Sequence, residues 1–192
     1  IGEDILRVEE SRKLLLEINL GATAIGTSIN APKGYAEAAS KALADVSGIP
    51  VVLSTNLIEA TWDTGAYVQT SGVLKRIAVK LSKICNDLRL LSSGPRTGIN
   101  EINLPRLQPG SSIMPGKVNP VVPDMLSQIG LKVGANHAGI AHAACGGGLE
   151  CGCDASMIRR AFHESAEMLA RGIPLFVSKV IEGTQPGESL RD

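Results

Sequence analysis

The sequence predicts an all-α protein built as a bundle of long helices. Leu74, Ile77, Ala78, Leu81, Ile84, Cys85, Leu88 and Leu91 recur at steps of three and four, the spacing of one apolar helix face. A second apolar run, Met125, Leu126, Ile129, Leu131 and Val133, follows an irregular segment at 92–119. Hydrophobic residues make up 44% of the chain and aromatics only 3%, so the core is mostly Ala, Leu, Ile and Val, which suits helix-on-helix packing.

The elements follow in order. Residues 3–20 place Ile5, Leu6, Val8, Leu14, Leu15 and Ile18 at roughly helical spacing, and Gly21 ends that helix. Residues 21–32, rich in Gly, Thr, Ser and Asn, read as turns. A short Ala-rich helix over 34–46 stops near Gly48 and Pro50, and Val51 to Leu53 is extended. Ser54, Thr55 or Asn56 caps one long helix over about 57–90, in which Gly65 and Gly72 permit close helix approach. Lys75, Arg76, Lys80 and Lys83 fall between its apolar positions and face solvent or a neighbouring subunit. The next long helix starts near Val121 or Pro123 and runs to about Ala144, where three glycines interrupt it. Asp154 caps a last helix, which Pro174 kinks or splits, and Gly183 to Gly187 reads as a tail.

Composition narrows the function. Lys plus Arg and Asp plus Glu are 19 each, so nothing argues for nucleic acid or an anionic membrane as partner. No apolar run is long enough to span a bilayer, and no basic-then-apolar leader opens the chain. Residue 1 is Ile and the first residues already read as helix, so an internal piece of a longer protein is expected. Cys85, Cys145, Cys151 and Cys153 form no secreted disulfide framework and read as cytoplasmic thiols.

The stretch Gly110 to Pro120, GSSIMPGKVNP, is the candidate site. Pro109, Pro115 and Pro120 forbid regular helix, and the stretch carries two hydroxyls, an ammonium and an amide. An irregular segment this long inside a compact domain is unusual unless it is functional, and a loop hung between rigid elements suits a site that closes over a ligand. His142, Cys145, Cys151 and Cys153 match no zinc spacing, so no metal is expected. His163 reads as a surface residue. Arg96 and Glu101 either pair to brace the loop or stay solvated, and Thr23, Thr27 and Asn30 either orient a site or cap turns.

GSSIMPGKVNP resembles the signature of the fumarase/aspartase superfamily, and GATAIGTSIN (21–30), LIEATWDTGAYV (57–68) and the segment 83–105 resemble it too. Asn100-Glu101-Ile102-Asn103 favours the ammonia-lyase branch over the fumarase branch. The resemblance is carried by residues 1–137, whereas CGGGLECGC (145–153) departs from the family's Gln- and Asn-containing helical segment. It implies a three-domain subunit with a central bundle, four subunits sharing a helical core, and active sites drawn from three subunits. Residues 1–192 would then be one partial central domain, without the N-terminal and C-terminal domains.

The resemblance also implies a carbon–nitrogen lyase that converts L-aspartate to fumarate and ammonia without an organic cofactor. Ser111 would be the base, acting as a deprotonated hydroxyl. Ser112, Lys117 and Asn119 would hold substrate carboxylates, and the backbone N–H groups of Ile113 and Met114 would add to an oxyanion site. The alternatives are fumarase chemistry, with water as leaving group, and a non-catalytic helical assembly fragment.

Overall fold

The computed structural model describes residues 1–152 and 154–187. The chain is all-α in class, as the sequence predicts, and its only strands among the described residues are two residues long. It divides into two compact units, Ile1–Leu74 with Asn136–His163, and Lys75–Ala135 with Glu164 onward. Three long helices, α4 (Gly65–Leu91), α5 (Val121–Ala144) and α6 (Ala155–Phe176), contribute residues to both.

In the first unit, α1 (Gly2–Arg12) is shorter than its periodicity suggests. The chain tightens to a 3-10 turn at Lys13–Leu16 and extends into β1 (Glu17–Ile18). The cause lies far along the sequence. β1 pairs in parallel with β2 (Val52–Leu53), and the Ser54 N–H donates to the Ile18 carbonyl at 2.9 Å. This pairing overrides the helical spacing of Leu14, Leu15 and Ile18. Helix α2 (Tyr35–Ser47) ends at Gly48 in the left-handed region, as the glycine allows.

The single helix expected over 57–90 is two. Asn56 caps α3 (Leu57–Trp62), its Oδ1 accepting from the Glu59 N–H at 3.3 Å. Asp63 is then extended, at φ −72° and ψ 129°. Its carboxylate accepts from the Gly65 N–H at 3.1 Å and opens α4. Gly65 therefore serves a helix start rather than a helix crossing. The core of this unit gathers Ile140, Ile158 and Ala161 with Val68, Ala143 and Phe162, and Tyr67 meets the Phe162 ring edge-on at 5.6 Å.

In the second unit, Ala78, Leu81 and Cys85 of α4, Leu126 and Val133 of α5, and Leu169 and Phe176 of α6 are buried. The sequence pattern had marked most of these positions. Gly130 lies outside that pattern, at a close approach of α5 to α4. A Cβ there would lie 3.2 Å from the Ala78 carbonyl and would displace the Ser82 hydroxyl. Helix α6 passes through Pro174 and widens at Val177–Ile181 into a π-helical turn. Pro174 supplies no N–H, so its place in the ladder is already open. The expected tail forms a strand instead: β3 (Ile102–Asn103) pairs antiparallel with β4 (Gln185–Pro186), and the Gly187 N–H donates to the Glu101 carbonyl at 2.7 Å.

Candidate active site

Backbone bonds fold the candidate loop into an arch. Pro109 and Val118 face each other, and the Gly110 N–H donates to the Lys117 carbonyl at 2.7 Å. Inside the arch the Lys117 N–H reaches the Met114 carbonyl at 3.2 Å, with Gly116 at φ 79°. At its base the Asn119 side-chain amide reaches the Gly110 carbonyl at 3.5 Å. The Pro120 carbonyl accepts from the Asp124 N–H at 3.1 Å, the first bond of α5. The prolines thus delimit the loop and hand it to the helix.

Within the arch, Ser111 is half-buried and its Oγ accepts from two amides, Ile113 N–H at 3.1 Å and Met114 N–H at 3.2 Å. Two N–H dipoles aimed at one oxygen favour its negative form, because hydrogen bonds to the charged form lower proton affinity. The Ile113 and Met114 amides therefore point at Ser111 in this state. The Ser112 side chain is exposed, and Ile113 is 87% exposed.

A cavity of about 520 Å³ in the second unit brings Lys117 and Asn119 together with Arg89, Arg106, Asn100 and Asn103. Ser111, Ser112, Ile113 and Met114 do not line it, and neither does any Asp or Glu. Beside it, Arg89 is ion-paired with Asp124 in the first turn of α5, and also donates to Asn86 at 2.5 Å. Sequence reasoning missed Arg89 and Arg106. Arg89 was hidden within the helix pattern, and the only signal for Arg106 was a cation placed shortly before the loop. A larger cavity, about 680 Å³, belongs to the first unit and mixes Lys13 with Glu17 and Asp63.

The remaining candidates separate cleanly. Arg96 and Glu101 form no ion pair with each other in the structure. His163 is exposed, with its ring against Phe162 at 6.3 Å. Of the candidates at 23, 27 and 30, Thr23 and Asn30 adopt left-handed φ angles of 61° and 66°, as does Ser28, next to Thr27, at 56°, which suits a run of turns. Cys145 and Cys151 are exposed, and Cys153 lies outside the described residues. Among the described residues no group of three or more His, Cys, Asp or Glu could hold a metal ion. Cys85 is fully buried, and burial pushes its thiol up to about 11. No helix of the described residues is long and apolar enough to cross a membrane.

A family model described as a lyase matches residues 1–134. The chain belongs to this lyase family. The lyase-family chain is similar to an aspartate ammonia-lyase of Helicobacter pylori, with 52% identity over 99% of this chain and 41% of the relative. The aspartate ammonia-lyase of Escherichia coli K12 is 53% identical over 95% of this chain and 38% of its own length. A crystal structure of a fumarate lyase:delta crystallin from Brucella melitensis bound to cobalt superposes with a TM-score of 0.92 and 49% identity, over 96% of this chain and 40% of that one. A class II fumarase from Schistosoma mansoni gives a TM-score of 0.91 at 30% identity. These neighbours place the helical bundle in the fumarase/aspartase superfamily. The similarity runs over 190 residues, well past residue 137, where the sequence resemblance was expected to fade. The chain spans about two fifths of the length of the curated relatives it matches.

Proposed function

We propose that this chain is part of an ammonia-lyase that interconverts L-aspartate with fumarate and ammonia. The observation that carries the reading is the Ser111 hydroxyl, whose Oγ accepts two backbone N–H groups. As an alkoxide, Ser111 takes a proton from the carbon beside a carboxylate, and the electron pair left behind spreads onto that carboxylate as an enediolate. The C–N bond of the neighbouring carbon then breaks and ammonia leaves. Ser112, Lys117 and Asn119 hold carboxylates. Lys117 supplies charge, and the other two supply orienting hydrogen bonds. The relatives that are named aspartate ammonia-lyase support aspartate over malate.

In the full-length protein, residues 1–192 belong to one central helical domain that assembles as a homotetramer in the cytoplasm. The exposed apolar side chains of Val79 (63% exposed) and Leu131 (77%) support assembly, because long helices with such residues bury them against other copies. Cys85 and Cys145 as free thiols suit the compartment. The test is to incubate the full-length protein with L-aspartate or L-malate and follow fumarate absorbance. Fumarate from aspartate alone is expected. Product from malate alone makes it a fumarase, and product from neither leaves a helical assembly module.

A further inference from the structure

We propose that Gly110 is a positioning residue of the loop: its bare Cα leaves the space in which the Asn119 side chain is held, and a larger residue there displaces that side chain. The inference rests on the lyase reading for the role of Asn119 and adds the residue that sets its place. Glycine serves a loop in two ways, by taking unusual backbone angles or by allowing close approach. Gly116 is of the first kind, with φ 79° and nothing within 4 Å of where a Cβ would stand. Gly110 is of the second kind. It is not among the glycines of positive φ, so an alanine fits its backbone angles. The obstacle is space. A Cβ on Gly110 would lie 3.0 Å from Asn119 Oδ1 and 3.1 Å from both Asn119 Cγ and the Asn119 backbone nitrogen. Non-bonded carbons rest at about 3.5–4.0 Å, so something must give way. The Asn119 backbone is tied to the start of α5, where the Val121 N–H donates to the Asn119 carbonyl at 2.9 Å. The side chain is the part that can move.

The two ends of the arch meet at this glycine. The Gly110 N–H donates to the Lys117 carbonyl at 2.7 Å, and the Gly110 carbonyl accepts from the Asn119 amide at 3.5 Å. Next to Gly110 in the chain is Ser111, the residue read as the base. Gly110 and Asn119 are both half-buried. One residue without a side chain therefore sets the distance between the serine and the amide. Misplacing an orienting group by about 1 Å costs up to about 10²-fold in rate, so a single methyl at this point reaches the chemistry without touching a substrate.

The test is a double-mutant cycle in the full-length protein, with kcat/KM for L-aspartate as the readout. Gly110→Ala is expected to lower kcat/KM at least tenfold, with an unchanged circular dichroism spectrum. Asn119→Ala should lower it at least as far. The double variant should be no worse than Asn119→Ala within twofold, because the added methyl then has no side chain to displace. A loss that arises from general loosening of the loop multiplies with the Asn119→Ala loss instead, and that result overturns the proposal. Wild-type kcat/KM in either single variant overturns it too. A crystal structure of Gly110→Ala gives a readout apart from turnover. The Asn119 side chain should be turned away, with its contact to the residue 110 carbonyl broken, and an undisturbed Asn119 beside Ala overturns the proposal. The two readings fail separately. A protein that makes no fumarate from aspartate or malate loses the lyase reading, while the crystal structure still decides whether Gly110 sets Asn119. Multiplying losses in an active enzyme remove Gly110 and leave the lyase reading standing.

Discussion

Helix α5 is entered and left through glycine-rich irregular chain, and the two joins are built differently. Before the helix, residues 109–120 fold back so that a serine hydroxyl collects two amides, while Lys117 and Asn119 line a cationic cavity. After it, Gly148 and Cys151 exchange backbone bonds, both of 3.1 Å, around a tip where Leu149 is 93% exposed at φ 53°. Glycine content and irregularity are common to both. What separates them is what the amides point at. In the first join, N–H groups converge on a side-chain oxygen and build up positive potential there. In the second they close a turn. On the proposed reading, the first loop serves as a site because its backbone dipoles are directed at the Ser111 oxygen, which irregularity alone would not achieve.

The largest contrast is expected in turnover. Ser111→Ala in the full-length protein should lower kcat by about 10²- to 10⁴-fold, the usual worth of a positioned base, with circular dichroism unchanged. Leu149→Ala should leave kcat within about twofold, so comparable losses in both variants would erase the distinction between the joins. Next in size is the helix between them. Gly130→Ala, which presses a methyl toward Ala78 and Ser82, should cost about 1–3 kcal/mol in urea unfolding. No loss there would mean that α4 and α5 give way easily.

The thiols give a finer test. Cys145, exposed at the second join, should react with iodoacetamide in the native protein, while buried Cys85 should react only on unfolding. The Cys85 thiol lies near 11 in the folded state against an ordinary value of 9.0. Folding therefore favours its neutral form. That contribution is fully present below pH 9 and is lost as pH rises from about 9 through 11, a dependence that Cys85→Ser should flatten. The smallest effect belongs to the turn tip. Leu149→Asn should raise stability by up to about 1 kcal/mol, because Asn tolerates the left-handed angle better than Leu. A lower Tm would show that the exposed leucine is held by a contact worth more than its strain.

Much of the fold was legible because α4 and α5 owe their form to local spacing. Leu81, Cys85, Leu126 and Val133 sit in the core where a 3.6-residue period puts them. The two missed strands share one cause. Glu17–Ile18 and Gln185–Pro186 are strands only because distant partners, Val52–Leu53 and Ile102–Asn103, lie beside them. A local pattern carries no trace of such a partner. The break at Asp63 turned on a carboxylate competing for the Gly65 amide, a contest that periodicity does not register. At the site, the residue types and spacing of GSSIMPGKVNP pointed to chemistry, and the resemblance assigned roles. The cavity that joins Lys117 to Arg89 and Arg106 exists only once α4, β3 and the loop are folded together.

The pairing of β3 with β4 has a kinetic meaning as well. The Asn103 amide meets the Pro186 carbonyl across 83 residues of chain, for only two residues of ladder. So long a closure is entropically unfavourable on its own and waits until the intervening helices have condensed. The wall that carries Arg106 is therefore expected to form late and to open early under mild denaturant. The Gly187 amide, donated to Glu101, should then exchange with solvent deuterium well before the amides in the middle of α5.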